Sequence, residues 1–130
     1  VNFYQLVQYL KYRWRAKSRH GVHSPYVYRF VEQVLRNASS LRDNMDAFFG
    51  SDNVVYTTIT ETENLVKNNK RKERVFILTD IHQSAINNAI WQKLYNDATV
   101  KLSIDIYQYG ILLFSDEFKE KQHFVLKNPG

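Results

Sequence analysis

Apolar positions in the first third of the chain recur at helical spacing. Phe3, Leu6, Val7, Leu10 and Trp14 fall at i, i+3, i+4, i+7 and i+11, with Asn2 before them as an N-cap. This predicts a helix over 3–18, with Lys11, Arg15 and Lys17 away from the apolar stripe. Gly21 is placed to stop it in the left-handed conformation. Ser24 then reads as an N-cap with Pro25 at the first helical position, a strong start signal. Val27, Phe30, Val31, Val34 and Leu35 give the second helix its inward face, so the two helices are expected to form an αα-hairpin. Leu41, Met45, Phe48 and Phe49 predict a short third helix closed by Gly50.

After Gly50 the period shortens. "NVVYTTI" (Asn53–Ile59) is β-branched and aromatic, as a strand is. "TETE" (Thr60–Glu63) has the capping-box pattern and predicts a helix opening there and running to about Asn69. Glu61 and Glu63 read as helix-start carboxylates, favoured by the dipole. "NKRKER" (Asn69–Arg74) reads as a solvated turn, with a basic patch as the alternative. "VFILT" (Val75–Thr79) is a continuous apolar run, as a buried parallel strand would be. Ser84 is placed to cap a helix over 85–96 with Ile86, Ala89, Ile90 and Leu94 inward. "TVKLSIDIY" (Thr99–Tyr107) alternates, putting Val100, Leu102, Ile104 and Ile106 on one face. "QYG" turns the chain, "ILLF" (Ile111–Phe114) returns antiparallel, and "HFVLK" predicts an edge strand.

The order β-α-β-α-β-β from residue 53 predicts an α/β layer with mainly parallel strands and right-handed crossovers. The expected sheet is mixed, has about four to five strands and ends in an antiparallel hairpin. At 130 residues the chain is expected to be a single domain, 1–50 helical and 51–130 α/β. No internal repeat is present.

Composition removes several classes of chemistry. With no cysteine there is no disulfide, no thiolate metal site and no cysteine nucleophile. No serine sits in a G-x-S-x-G elbow. No apolar run approaches ~18 residues, and the start lacks a signal pattern, so a cytoplasmic chain with no membrane partner is expected. The sequence opens on Val1, as a processed chain, a trimmed one or a fragment would.

Charge changes the picture at the amino-terminal end. Residues 1–36 hold seven cations against Glu32 alone, whereas the other 94 residues hold eleven cations and twelve carboxylates. Lys11, Arg13, Arg15, Lys17 and Arg19 cluster within nine residues. With His20 and His23, at the junction where the dipole of the second helix begins, they form a candidate anion- or nucleic-acid-binding set. A solvated helix face accounts for the same pattern. Tyr4, Tyr9 and Tyr12 beside Arg13 and Arg15 could stack bases, and packing against a partner helix explains them more simply.

"YLKYRWRAKSRHGVHSPYVYRFVEQVL" (Tyr9–Leu35) resembles the N-terminal hairpin of a group of bacterial class I S-adenosylmethionine-dependent methyltransferases. "VFILTDIH", "LSIDIYQYGILLF" and "KQHFVLK" resemble its C-terminal end. The two blocks cover roughly 80 residues, and RHGVHSP and DIH keep the family's order. The resemblance implies a Rossmann-like sheet. The family's seven strands run 3-2-1-4-5-7-6, and residues 53–114 would supply strands four to seven. The central cofactor-binding half is missing. The four glycines, at 21, 50, 110 and 130, form no G-x-G loop between a strand and a helix, and the ribose-binding carboxylate has no place. The family pattern also sets two adjacent aspartates before Ile-His, where relatives hold a divalent cation. Here that pair is Thr79–Asp80, so Asp80 and His82 are family-motif candidates for only a weak metal site. Asp80 capping the next turn, with His82 packed or exposed, is the simpler expectation.

These readings predict a truncated methyltransferase-like protein, catalytically incomplete alone and acting through protein association. Its expected partner is a second copy or another protein on the strand edge at 53–59. The alternatives are a basic nucleic-acid-binding module using the 11–19 cluster, or methyltransferase activity completed by a partner chain. No catalytic, cofactor-binding or metal-ligating residue is assigned. No cofactor is expected for the chain itself, S-adenosylmethionine being the full-length family's.

Overall fold

The computed structural model describes residues 24–126. Helix α1 begins at Pro25, and the Ser24 side chain accepts the Val27 amide at 3.3 Å. It runs through Pro25–Phe30 and widens into a π-helical stretch, Val31–Leu35, whose last carbonyls lie near a buried asparagine. Asn44 sits on α2 (Leu41–Phe49) and donates through Nδ2 to the carbonyls of Val34, Ser39 and Asn37 at 3.1, 3.3 and 3.4 Å. One amide thus satisfies the Val34 carbonyl of the helix end and two carbonyls of the connection after it. Gly50 closes α2 at φ 88°, a left-handed value that favours glycine.

The α/β part follows as β1 (Val54–Thr58), α3 (Ile59–Lys67), β2 (Val75–Thr79), α4 (Ala85–Tyr95), β3 (Leu102–Asp105), β4 (Tyr109–Leu113) and β5 (Gln122–Val125). The five strands form one mixed sheet in the order β1-β2-β4-β3-β5. β1–β2 and β3–β5 pair in parallel, while β2–β4 and β4–β3 are antiparallel. The sheet is mixed, as expected, with four strands running one way and only β4 against them. The hairpin's return strand inserts between β2 and β3, so half of the pairings are antiparallel.

Helices cover both faces of the sheet. On one, α1 and α2 set Val27, Phe30, Val34 and Met45 against Val75, Ile77, Leu102, Ile104, Ile111 and Leu113. On the other, α3 and α4 bring Ile59, Val66, Trp91 and Leu94 against Phe76, Leu78, Leu112 and Phe114. This explains the unbroken "VFIL" run, since successive side chains of β2 enter opposite cores and all four are buried.

Three sequence expectations move. Helix α3 starts at Ile59 rather than in the Thr60 capping box, because Ile59 leaves the strand straight into the core and is fully buried. Its first turn is tied by the Thr62 hydroxyl, which donates to the Thr58 carbonyl at 2.7 Å. On α4, Ile86 and Ala89 point outward, and Ile86 is 73% exposed. The inward line is instead Asn88, Trp91 and Leu94, because the Trp91 ring lies over Gly110, where a Cβ would come within 2.7 Å of it. Val100 joins the α3/α4 core rather than that of Leu102 and Ile104. It belongs to a turn, its amide donating to the Asp97 carbonyl at 3.1 Å, and so it escapes the strand's alternation. The helix expected over 3–18, its stop at Gly21 and hence the αα-hairpin lie outside the described residues. No helix among the described residues is long and apolar enough to cross a membrane.

Candidate functional site at the carboxyl ends of the strands

β1, β2, β3 and β5 run in one direction and β4 in the other, so the carboxyl ends of β2 and β3 emerge on the same side. The loop after β2 carries Asp80, Ile81 and His82, and β3 ends on Asp105. The alternation of "LSIDI" leaves Ser103 and Asp105 on the face opposite Leu102 and Ile104. That face lies under α4, so both polar residues are buried, Asp105 being 3% exposed. A buried carboxylate must be compensated, and this one is compensated twice. Oδ2 lies 2.7 Å from His82 Nε2, and Oδ1 accepts the Tyr107 amide at 2.8 Å.

The second nitrogen of His82 is also engaged. Asn88 on α4 donates through Nδ2 to His82 Nδ1 at 2.9 Å. Asn88 is held in this sense because its Oδ1 accepts from Gln92 Nε2 at 2.9 Å. With Nδ1 an acceptor, the ring proton lies on Nε2 and donates to Asp105. The ring stacks on Tyr107 with centroids 5.1 Å apart and planes at 20°. Tyr107 has φ 71°, unusual for a bulky side chain, at a cost on the order of 1–3 kcal/mol. The Asp105 contact and the stacked imidazole hold it there.

The cluster therefore joins the β2–α4 loop, helix α4 and the β3–β4 turn. It offers no free imidazole nitrogen, since both are engaged and His82 is 5% exposed. In this arrangement it ties the β2–α4 loop, α4 and the β3–β4 turn to one another.

Asp80 stands apart from the cluster. It is exposed, with φ 66°. Its carbonyl, not its carboxylate, closes the turn, accepting the Gln83 amide at 3.2 Å and Asn87 Nδ2 at 3.1 Å. With the His82 nitrogens turned to Asp105 and Asn88, the two family-motif residues do not converge as metal ligands. Among the described residues no group of three or more His, Asp or Glu side chains is arranged to hold a metal ion.

A second polar tie lies on the same face. Ser103 Oγ is 2.7 Å from His123 Nδ1 across the β3–β5 pairing, and the imidazole stacks on Tyr95 at 3.8 Å. Local sequence pattern does not mark Asp105, Asn88, Tyr107, Ser103 or His123 as partners. The available signal was two polar residues interrupting one face of an otherwise apolar strand. Glu63, read as a helix-start carboxylate, instead accepts from Lys93 of α4 at 3.2 Å and links the two helices. Lys11, Arg13, Arg15, Lys17, Arg19, His20 and His23, the candidate anion-binding set, lie outside the described residues.

Compared with family models, with curated proteins and with solved structures, the chain matches none of them.

Proposed function

We propose that this chain is a reduced, Rossmann-like methyltransferase-type domain that works by protein association rather than by transferring a methyl group on its own. The observation that carries the reading is the strand order. β1-β2-β4-β3, with a parallel pair followed by an antiparallel insertion, has the order and directions expected of strands 4-5-7-6 in the class I methyltransferase sheet. In that sheet β1 would pair with strand one. Among the described residues β1 pairs only with β2, so it stands at the sheet's edge.

The described residues do not fit S-adenosylmethionine. The segment leading into β1 is helix α2 and a 3-10 turn, Ser51–Asn53, rather than a strand, glycine loop and helix. Met45 and Phe49 of that segment are spent on the core. No methyl-transfer step is derived for the chain.

Edge strands are guarded in most sheets by charge, proline or bulges. β1 reads "VVYTT" and has none of these. Uncharged along its length, it can meet a second copy across a two-fold axis without opposing like charges. Sedimentation equilibrium over a micromolar range is expected to give a reversible dimer, and Thr57→Lys to shift it toward monomer. A well-folded monomer at high micromolar concentration would overturn the association. Titration calorimetry with S-adenosylmethionine is expected to give no saturable heat, and tight binding by the chain alone would overturn the catalytic incompleteness.

A further inference from the structure

The opposite end of the sheet carries a different arrangement. β2 and β3 begin there and β4 ends there, so three connections meet: 68–74, 96–101 and 114–116. Each is shaped by its own polar residues. Asn69 accepts the Arg71 amide at 3.2 Å through Oδ1 and donates to the Arg71 carbonyl at 3.1 Å through Nδ2, closing a turn at Lys70. Asp97 Oδ1 accepts both the amide and the hydroxyl of Thr99, at 2.9 and 2.7 Å. Lys121 pins that second turn by donating to the Asp97 carbonyl at 2.7 Å and to the Val100 carbonyl.

Between these turns lies a cleft of about 300 Å³ lined by Lys70, Arg71, Lys72, Lys101, Phe114 and Asp116, among others. Four cations meet one carboxylate. Asp116 is taken by Lys72, whose ammonium donates to it and, with Lys101 and Lys119 nearby, holds its carboxyl below the usual range. Arg71 is turned to Glu73 through Nε at 2.8 Å. Lys70 and Lys101 have no carboxylate in salt-bridge reach among the described residues. Buried Phe114 also lines the cleft, an apolar surface beside the cations. Like charges gathered in a concave site repel one another and attract a compact anion.

We propose that this cleft binds a small phosphate-bearing anion, with Lys70 and Lys101 as the principal cations. The volume is at the lower end of small-molecule sites, which suits a phosphate ester or diphosphate. A nucleic-acid strand would need a longer track of cations. The anion's source, inorganic diphosphate or the diphosphate of a nucleotide, is separated by the test. This site is independent of the β1 edge, so either can fail without the other.

The test is a ¹⁵N-resolved NMR titration of the full chain at low ionic strength. One arm uses inorganic diphosphate, a second a nucleoside diphosphate, and a third a short single-stranded RNA. Saturable shifts are expected at the amides of 69–72 and 99–101 with diphosphate. Tighter binding in the second arm, with added shifts near Phe114, assigns the nucleotide, and equal binding assigns the inorganic anion. The double variant K70E/K101E is expected to weaken binding at least about tenfold, and K70R/K101R to retain it. Lys70 is exposed and Lys101 half-buried, and an unchanged spectrum away from the cleft reports an intact fold. Absent or non-saturating shifts, shifts elsewhere, or indifference to K70E/K101E would overturn the proposal. So would RNA moving these amides where diphosphate does not.

Discussion

The two faces of the sheet are built differently. Beneath α1 and α2 the core is apolar, with Val27, Phe30, Met45, Ile77, Ile104 and Ile111 fully buried and an edge-to-face aromatic cluster of Tyr26, Phe30, Phe48, Phe49 and Phe118 around it. Beneath α3 and α4 the core is laced with polar ties, Asp105–His82–Asn88 and Ser103–His123. Apolar packing fills space with little regard to direction. A buried hydrogen-bonded network fixes particular atoms, at the risk of a large penalty if one member is lost. The first face supplies stability, and the second fixes the loops at the carboxyl ends of β2 and β3.

The largest expected loss is on the apolar face. Phe30→Ala removes a fully buried ring that packs on Phe48 and Phe49, with centroids at 5.6 and 5.8 Å. Denaturant unfolding is expected to show a loss of about 3–5 kcal/mol. A loss below about 1.5 kcal/mol would mean that α1 is not docked as described.

Asp105→Ala tests the other face and comes next, at about 3 kcal/mol. It removes the Asp105 oxygens that accept from the His82 Nε2–H and the Tyr107 amide. The shape of the effect matters more than its size. Asp105→Leu combined with His82→Leu removes both partners and is expected to recover a large part of the loss, while amide exchange at 105–108 becomes faster. No recovery would show that the pair contributes net stability and would blur the contrast between the faces.

That contrast also marks how far the sequence could be read. Apolar periodicity located every described strand, α1, α2 and the α4 start, because burial is written in residue type and spacing. Ser24–Pro25 and Ser84 announced their helices through side chains that accept N-terminal amides. The polar side of β3 was not legible in the same way. Alternation says that Ser103 and Asp105 share a face but not whether a helix covers it, and α4's docking on Gly110 is a tertiary fact. His82 was visible as a motif residue, yet its partner lies 23 positions away. The strand order β2-β4-β3 is likewise a choice between long-range pairings that local pattern does not encode. The 70–72 cations were readable as a run, but their meeting with Lys101 was not.

A smaller effect separates the faces by pH. Tyr26 lies in the aromatic cluster, and burial pushes its hydroxyl up from 10.0 to about 12, with Arg29 opposing and Glu117 adding to the shift. A raised folded-state value means that the phenol's contribution is intact below pH 10 and is lost as the unfolded chain ionises between pH 10 and about 12. The loss over that window is expected to be on the order of 1–2 kcal/mol, after allowing for partial exposure. Tyr56 acts in the same direction, pushed up by burial and by its 2.6 Å hydrogen bond to Asp46. Tyr26→Phe should flatten part of the alkaline slope in thermal melts. An unchanged slope would remove Tyr26 from the account.

The smallest effect is the sharpest test of how α4 lies on the sheet. Helical periodicity alone puts Ile86 inward with Ala89, Ile90 and Leu94. In the structure the helix is rotated so that Trp91 covers Gly110 and Asn88 reaches His82, leaving Ile86 73% exposed. These contacts exclude the inward placement, because a helix that buried Ile86 and Ala89 would carry Asn88 away from His82 Nδ1. Ile86→Lys is therefore expected to change stability by no more than about 0.5 kcal/mol, as a surface substitution does. Ile90→Lys, four residues on and partly buried against the Trp91 core, should cost more. If Ile86→Lys instead cost 2 kcal/mol or more, Ile86 would be covered, and the polar network that fixes α4's rotation would be misassigned with it.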